Sequence, residues 1–251
     1  MIISARGHTD VGRKREINED SFLVDEDLRL FVVADGMGGH AGGGTASRIA
    51  VQTIQERLKA AREGDPSLFA GATVLEESPL CEVMREAVEG ACFSIYEAAK
   101  GDPSLAGMGT TVTALVFSGT NSYVAHVGDS RCYLVRAGHI YQVSEDHSLV
   151  NEQIKAGAIT PDEARTSRFK NIITRSVGFE ADVAVDMMGF EAEPGDRLIL
   201  CCDGLSNLVD DSEILEVVNR TPPDAGAREL VDLANGRGGD DNITVIVIHV
   251  S

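Results

Sequence analysis

The chain has 251 residues, 43% hydrophobic and 25% charged, an ordinary globular balance that excludes wholesale disorder, and its length allows one large domain or two small ones. The 40 acidic residues outnumber 22 basic ones for a formal net charge of −18, which argues against nucleic acid or an anionic membrane as main partner, since such surfaces are held by clustered Lys and Arg. No apolar run reaches the ~18–20 residues of a membrane span, the opening MIISARGHTD lacks a signal peptide's apolar core, and Cys81, Cys92, Cys132, Cys201 and Cys202 form no CxxC, so free thiols in a reducing cytoplasm are expected.

In chain order, SFLV after Asp20 is strand-like, and the apolar run Leu30 to Ala34 is a buried strand that ends in Asp35-Gly36. Ala46, Ala50, Ile54 and Leu58 keep helical spacing, predicting a helix over 45–62. Leu80, Met84, Ala87, Val88, Ala91 and Ile95 do the same over 80–100, with acidic residues opposite. Between Thr111 and Val143, strands TVTALVF, SYVAHV, RCYLVR and HIYQV read as a meander, with hairpin turns at Gly119-Thr120-Asn121, Gly128-Asp129 and Ala137-Gly138. Thr160, Pro161 and Glu163 open a short helix, and Asp210 with Glu213 opens another near 211–219.

Val183, Val185 and Met187 alternate with Asp182, Ala184 and Asp186, as in a half-exposed strand. Leu198 to Cys202 and Ile243 to Val250 are further buried strands, and adjacent Cys201 and Cys202 must face opposite sides of theirs. Strands cluster and helices pair, which predicts an α+β fold of antiparallel sheets covered by helix pairs.

Certain aspartates fall at strand ends. Asp35 and Asp203 each follow an apolar strand and precede Gly, Asp241 precedes one, Asp129 follows SYVAHV, and Asp20 precedes SFLV. A carboxylate there is held rigidly yet faces a cleft, as a metal ligand must be. Alone, each Asp-Gly pair also reads as a turn, Asp129 especially. Together, several such aspartates can converge. An oxygen-only cluster suits Mg²⁺ or Mn²⁺ over Zn²⁺, and a pair of such ions activates water and polarises a phosphoryl oxygen. Near Asp20, the run Arg13-Lys14-Arg15 supplies either a fork for phosphate oxygens or a solvated basic turn.

The segments GRKREINEDS, VVADGMGGHAGG, GMGTTVTAL, AHVGDSRCYLVRAG, SEDHSL, NIITRSVG, GDRLILCCDGLSN and GGDDNITVIVI, in that order, resemble the metal-dependent protein serine/threonine phosphatases of the PPM (protein phosphatase 2C-like) family, in particular its compact bacterial members. The resemblance implies a four-layer α-β-β-α sandwich of two antiparallel sheets flanked by helix pairs. It implies one catalytic domain over 1–251, with a flap at about 144–178. By resemblance, Arg15 binds the substrate phosphate, Asp35 bridges two core metals, and the Gly36 carbonyl ligates one. Asp203 and Asp241 hold the other, and Asp20 acts through metal-bound water. Asp129 resembles the ligand of a third, weaker site sharing Asp203.

The resemblance further implies two or three Mn²⁺ or Mg²⁺ ions and hydrolysis of phosphoserine and phosphothreonine in proteins by a metal-bridging hydroxide. His40 is the candidate general acid, or else a residue of the loop around it. The implied enzyme is a cytoplasmic monomer opposing a bacterial Ser/Thr kinase, which is itself among the expected substrates. The chain departs from the family at Ser167-Arg168, where many bacterial members have His-Pro, and at Gly44, usually acidic; both bear on substrate preference. Two alternatives remain: a phosphodiesterase using the same carboxylates, and a catalytically weak or inactive scaffold on the same fold. Retention of Asp20, Asp35, Asp203 and Asp241 counts against the scaffold. Asp146-His147-Ser148 carries triad letters, but consecutive residues cannot adopt triad geometry, and a helix cap is the expected role. His8, His126, His139 and His249 are expected to be structural or exposed.

Overall fold

Side-chain parity along a few strands organises the interior. In the computed structural model, which describes residues 1–38, 42–71 and 78–251, Leu30, Val32 and Ala34 of β3 (Leu30–Ala34) enter one apolar cluster and Phe31 and Val33 enter another. Likewise Leu198 and Leu200 of β11 (Arg197–Cys201) and Ile246 and Ile248 of β12 (Ile243–Val250) face the second cluster. Their alternates Ile199, Cys201, Val245 and Val247 face a third. A strand buried on both faces must read as a continuous apolar run, as these three do.

Among the described residues, one antiparallel sheet runs β1-β12-β11-β8-β9, with β1 Ile3–Asp10, β8 Arg131–Arg136 and β9 His139–Gln142. The other runs β10-β7-β6-β3-β2, with β2 Ser21–Asp25, β6 Val112–Ser118, β7 Asn121–Val127 and β10 Asp186–Glu191. The helix pair α1 (Gly42–Gly64) and α2 (Pro79–Gly101) packs on the second sheet through Ala46, Ile54, Met84 and Ile95. On the first sheet, α6 (Asp211–Arg220) and α7 (Pro223–Gly236) pack through Ile214, Val218, Leu230 and Ala234. Three apolar clusters between four layers make the expected α-β-β-α sandwich. A two-stranded piece, β4 (Gly36–Met37) with β5 (Gly109–Thr110), sits at one rim. The chain ends meet: Ile2 N–H donates to Ser251 O (2.7 Å) and Ser251 N–H to Ile2 O (2.9 Å).

Two expectations are corrected. Gly128-Asp129 is not a hairpin, because β7 pairs with β6 and β10, whereas β8 pairs with β11 and β9 in the opposite sheet. Gly128 makes this crossing with φ +112°, in the left-handed region, and a Cβ there would sit 2.5 Å from Thr111 Cγ2. The strand expected around Val183 to Met187 pairs only from Asp186, opposite His126. Val183 and Val185 still pack into the cluster under α2, so the alternation reported burial and not a ladder.

The segment 144–178, expected to form a flap, carries α3 (Leu149–Lys155) and α4 (Pro161–Arg165), the latter started by a full Thr160–Glu163 capping box. A second box, Asp210–Glu213, starts α6.

Candidate metal centre

Register brings the aspartates to one rim. Ser21 pairs with Ala34, so Asp20 before β2 lies beside Asp35 after β3. Cys201 pairs with Val245, which sets Asp203, opening α5 (Asp203–Ser206), near Asp241 at the start of β12. In antiparallel neighbours the end of one strand lies beside the start of the next, so both sheets deliver carboxylates to the same edge. One carboxylate oxygen each of Asp20 and Asp35 and the Sγ of Cys202 lie within 4.8 Å of one another. Asp129, 6% exposed, reaches the group from the Gly128 crossing.

The carboxylates raise one another's pKa values. Burial, then the charges of Asp203 and Asp241, push Asp20 up to about 7 against an opposing hydrogen bond from Thr244. Burial and Asp241 push Asp203 up to about 6. Asp35 stands well above the carboxylate range through burial and its neighbours Asp20, Asp203, Asp129 and Asp241, and it shares a hydrogen bond with Asp203. Asp129 is raised by burial and by Asp203.

Buried oxygens of three of these residues, Asp20 Oδ1, Asp129 Oδ1 and Asp203 Oδ1, have no hydrogen-bond partner, and neither does Glu19 Oε1. Orphaned buried carboxylate oxygens cost free energy unless a cation answers them, so the residues fit a divalent ion. The donors suit a hard ion. Cys202 is near, but burial raises its thiol and Asp20 and Asp35 raise it further, so it stays protonated and the donor set is oxygen.

Polar residues anchor the carboxylates. Thr244 Oγ1 donates to Asp20 Oδ2 at 2.6 Å. The Asp35 N–H donates to Thr111 Oγ1 at 2.9 Å, and that hydroxyl lies 2.7 Å from Ser130 Oγ, tying Asp35 to the Asp129 turn. Gly36 is packed so closely that a Cβ would collide with the carbonyl oxygens of Gly43 and Glu19.

Of the three basic residues, only Arg15 faces the cluster. Its Nη2 donates to Asp241 Oδ2 at 2.7 Å, whereas Arg13 and Lys14 are exposed and bond through their backbones to Gly239 O. The Arg15 loop is clamped by Asn242. Its Oδ1 accepts from Glu19 N–H (2.8 Å), and its Nδ2 donates to Val11 O and Ile17 O (both 3.0 Å).

His40 lies outside the described residues. Ser148 caps α3, and Asp146 pairs with Arg131 at 2.6 Å, so those letters form no triad. His126 is buried and His139 exposed, as expected.

Sequence reasoning missed Thr111, Thr244, Asn242 and the contact of Cys202 with the cluster. Thr111 and Thr244 had a legible signal, each being a hydroxyl within an otherwise apolar strand run. A cavity of about 640 Å³ opens from Asp129 and Asp203 toward the flap, where Asp146, Asn151, Ala164 and Lys170 line it.

The family model described as Protein phosphatase 2C matches residues 8–232. The protein phosphatase PhpP of Streptococcus pneumoniae is 36% identical over 255 residues, covering 97% of this chain and 96% of that one. The serine/threonine protein phosphatase PstP of Mycobacterium tuberculosis is 36% identical over 251 residues, and the chain spans 45% of that relative's length. A crystal structure of the catalytic domain of serine/threonine protein phosphatase PstP in complex with two manganese ions superposes with a TM-score of 0.85 at 34% identity, covering 99% of both chains.

Proposed function

The chain belongs to the protein phosphatase 2C family, and from that premise we propose that it hydrolyses phosphoserine and phosphothreonine in proteins at the rim where its two sheets end. The observation that carries the reading is the set of partnerless buried oxygens on Asp20, Asp129 and Asp203, gathered with Asp35 beside Arg15. Asp35, the Gly36 carbonyl, Asp203 and Asp241 would hold two core Mn²⁺ or Mg²⁺ ions, with Asp20 acting through water and Asp129 serving a third site with Asp203. Bound there, the cations supply Lewis acidity that activates water and neutralises charge on the phosphoryl oxygens.

Arg15 orients the phosphate. Its planar fork matches two phosphoryl oxygens, and it is half-exposed, so substrate can reach it. The carboxylates keep the cleft acidic, which disfavours binding of an anion until cations are present. The departing seryl or threonyl oxygen needs a proton, and His40 is the candidate donor. Residues 144–178 act as a flap over the cavity, and residues 1–251 serve as one catalytic unit. Substrates are the phosphoproteins made by a bacterial Ser/Thr kinase, that kinase itself among them, since such enzymes make these esters.

Asp20, Asp35, Asp129, Asp203, Asp241 and Arg15 converge within one chain, and the enzyme is proposed to act as a monomer. Cys92, Cys132, Cys201 and Cys202 are buried thiols outside any disulfide, in keeping with the proposed reducing cytoplasm. No helix among the described residues is long and apolar enough to cross a membrane.

The test is hydrolysis of an aryl phosphate and of phosphoserine and phosphothreonine peptides with Mn²⁺, with chelator, and by Asp35→Asn. Turnover is expected with Mn²⁺ alone and only in the unsubstituted protein. Full turnover in chelator overturns the metal-dependent reading, and no turnover of any phosphopeptide with Mn²⁺ favours the scaffold.

A further inference from the structure

Gly128, the residue that turns the chain from one sheet to the other, has both of its backbone polar groups engaged by one residue. Its N–H donates to His147 Nδ1 at 3.0 Å, and its carbonyl accepts from the His147 N–H at 2.7 Å. An imidazole nitrogen that accepts carries no proton, so the ring proton sits on Nε2. That nitrogen lies 3.2 Å from Asp186 Oδ2 and donates to it. Asp186 is held in turn by Arg175 Nη1, 2.5 Å from its other oxygen. The His147 carbonyl accepts from Thr174 N–H at 2.9 Å, and its ring leans on His126 with centroids 4.9 Å apart. His147 is 8% exposed, and burial lowers its pKa, in keeping with the neutral ring.

These bonds fix more than a turn. Gly128 holds φ +112°, a region where the peptide direction is set by its partners, and the next residue is Asp129 with its orphaned Oδ1. Among the described residues the Asp129 carboxylate has a hydrogen bond with its own backbone and none with another residue that would aim it independently. Thr174, which holds the His147 carbonyl, and Arg175, which holds Asp186, close the flap segment, and Asp186 opens β10. One imidazole therefore joins the end of the flap to the loop that presents a carboxylate.

We propose that His147 is the positioning residue of Asp129: through Gly128 it aims the Asp129 carboxylate toward Asp203, so that the cation site these two aspartates share depends on a side chain that touches neither. The inference rests on the reading of Asp129 as a cation ligand. Residues that orient ligands typically change metal affinity by about 10- to 100-fold when replaced.

Two substitutions separate the two halves of the link. His147→Asn keeps an acceptor at the Nδ1 position and loses the donor to Asp186. His147→Gln keeps a donor near the Nε2 position and loses the acceptor for Gly128. Mn²⁺ binding by the full chain is measured by titration calorimetry for the unsubstituted protein, both variants and Asp129→Asn, with thermal melting of each.

Asp129→Asn is expected to remove the weakest Mn²⁺ step, and His147→Gln to weaken that step by about 10- to 100-fold while sparing the tighter ones. His147→Asn is expected to stay close to the unsubstituted protein. Equal weakening by both His147 variants, or none by His147→Gln, overturns the proposal. An unchanged isotherm for Asp129→Asn overturns the ligand reading itself, and the proposal with it. Should His147→Gln fail to melt cooperatively, the smaller His147→Ala, which likewise lacks the acceptor for the Gly128 N–H, takes its place. Its weakest step should weaken too, and an unchanged one overturns the proposal.

Discussion

Arg15 Nη2 lies 2.7 Å from Asp241 Oδ2, so the arginine assigned to substrate phosphate is held by a carboxylate assigned to a cation. The two residues come from opposite ends of the chain, and their pairing keeps the guanidinium over the cluster before any phosphate arrives. A cation at Asp241 competes for the same carboxylate, which loosens the arginine for the phosphate when the cation is in place.

Arg15→Ala should therefore lower kcat/KM by about 10- to 100-fold, mainly through KM, as expected for one charged hydrogen-bonding partner. Arg15→Lys should recover only part, since an ammonium cannot make the two-pronged contact. Steady-state kinetics on an aryl phosphate check both, and an unchanged kcat/KM in Arg15→Ala removes it as the phosphate clamp.

Asp35→Asn should abolish turnover yet stabilise the metal-free protein near neutral pH. Burial and four neighbouring aspartates make an ionised Asp35 costly, and an amide of the same shape removes the charge. Melting in EDTA should show a higher Tm for the variant. A lower one would mean that repulsion is not what the cluster suffers without cations.

The pH dependence follows with a definite sign. Asp20 is raised from 3.8 to about 7 and Asp203 from 3.8 to about 6 in the folded chain. Groups raised on folding give stability that is complete below the unfolded value and lost as pH rises through the folded one. Metal-free protein should thus lose stability across pH 4 to 7, and the Tm gain from Mn²⁺ should be larger at about pH 7.5 than at about pH 5, because protons compete with the cation. Melting curves at the two pH values, with and without Mn²⁺, decide it.

Asn242→Ala should destabilise the fold by roughly 2–5 kcal/mol, since Val11 O, Ile17 O and Glu19 N–H lose a partner together. Urea denaturation measures the loss. KM should also rise, because the freed loop carries Arg15, and a KM that stays put would separate the clamp from substrate binding.

The layers and the four core aspartates were legible because both are written in short-range pattern. An apolar run followed by Asp-Gly puts a carboxylate at a strand end, and antiparallel pairing then gathers such ends. The Asp129 turn was not legible. The letters of a hairpin and of a crossing between sheets are the same here, and only long-range pairing of β8 with β11 separates them. Val183 to Met187 misled for a related reason, since alternation records which side is buried whether or not a neighbour supplies hydrogen bonds. The anchoring roles of Asn242 and His147 depend on loops 225 and 19 residues away, distances over which no local pattern carries information.

The strand β12 lies inside its sheet, between β1 and β11, although it follows all the other described strands in chain order. A chain still on the ribosome has the Arg15 loop and most of the aspartates, but a gap where the middle of that sheet belongs, with neither Asp241 nor the Asn242 clamp. Synthesis itself therefore acts as a timer: the site closes only when β12 slots in, and folding must wait for one of its most distant contacts.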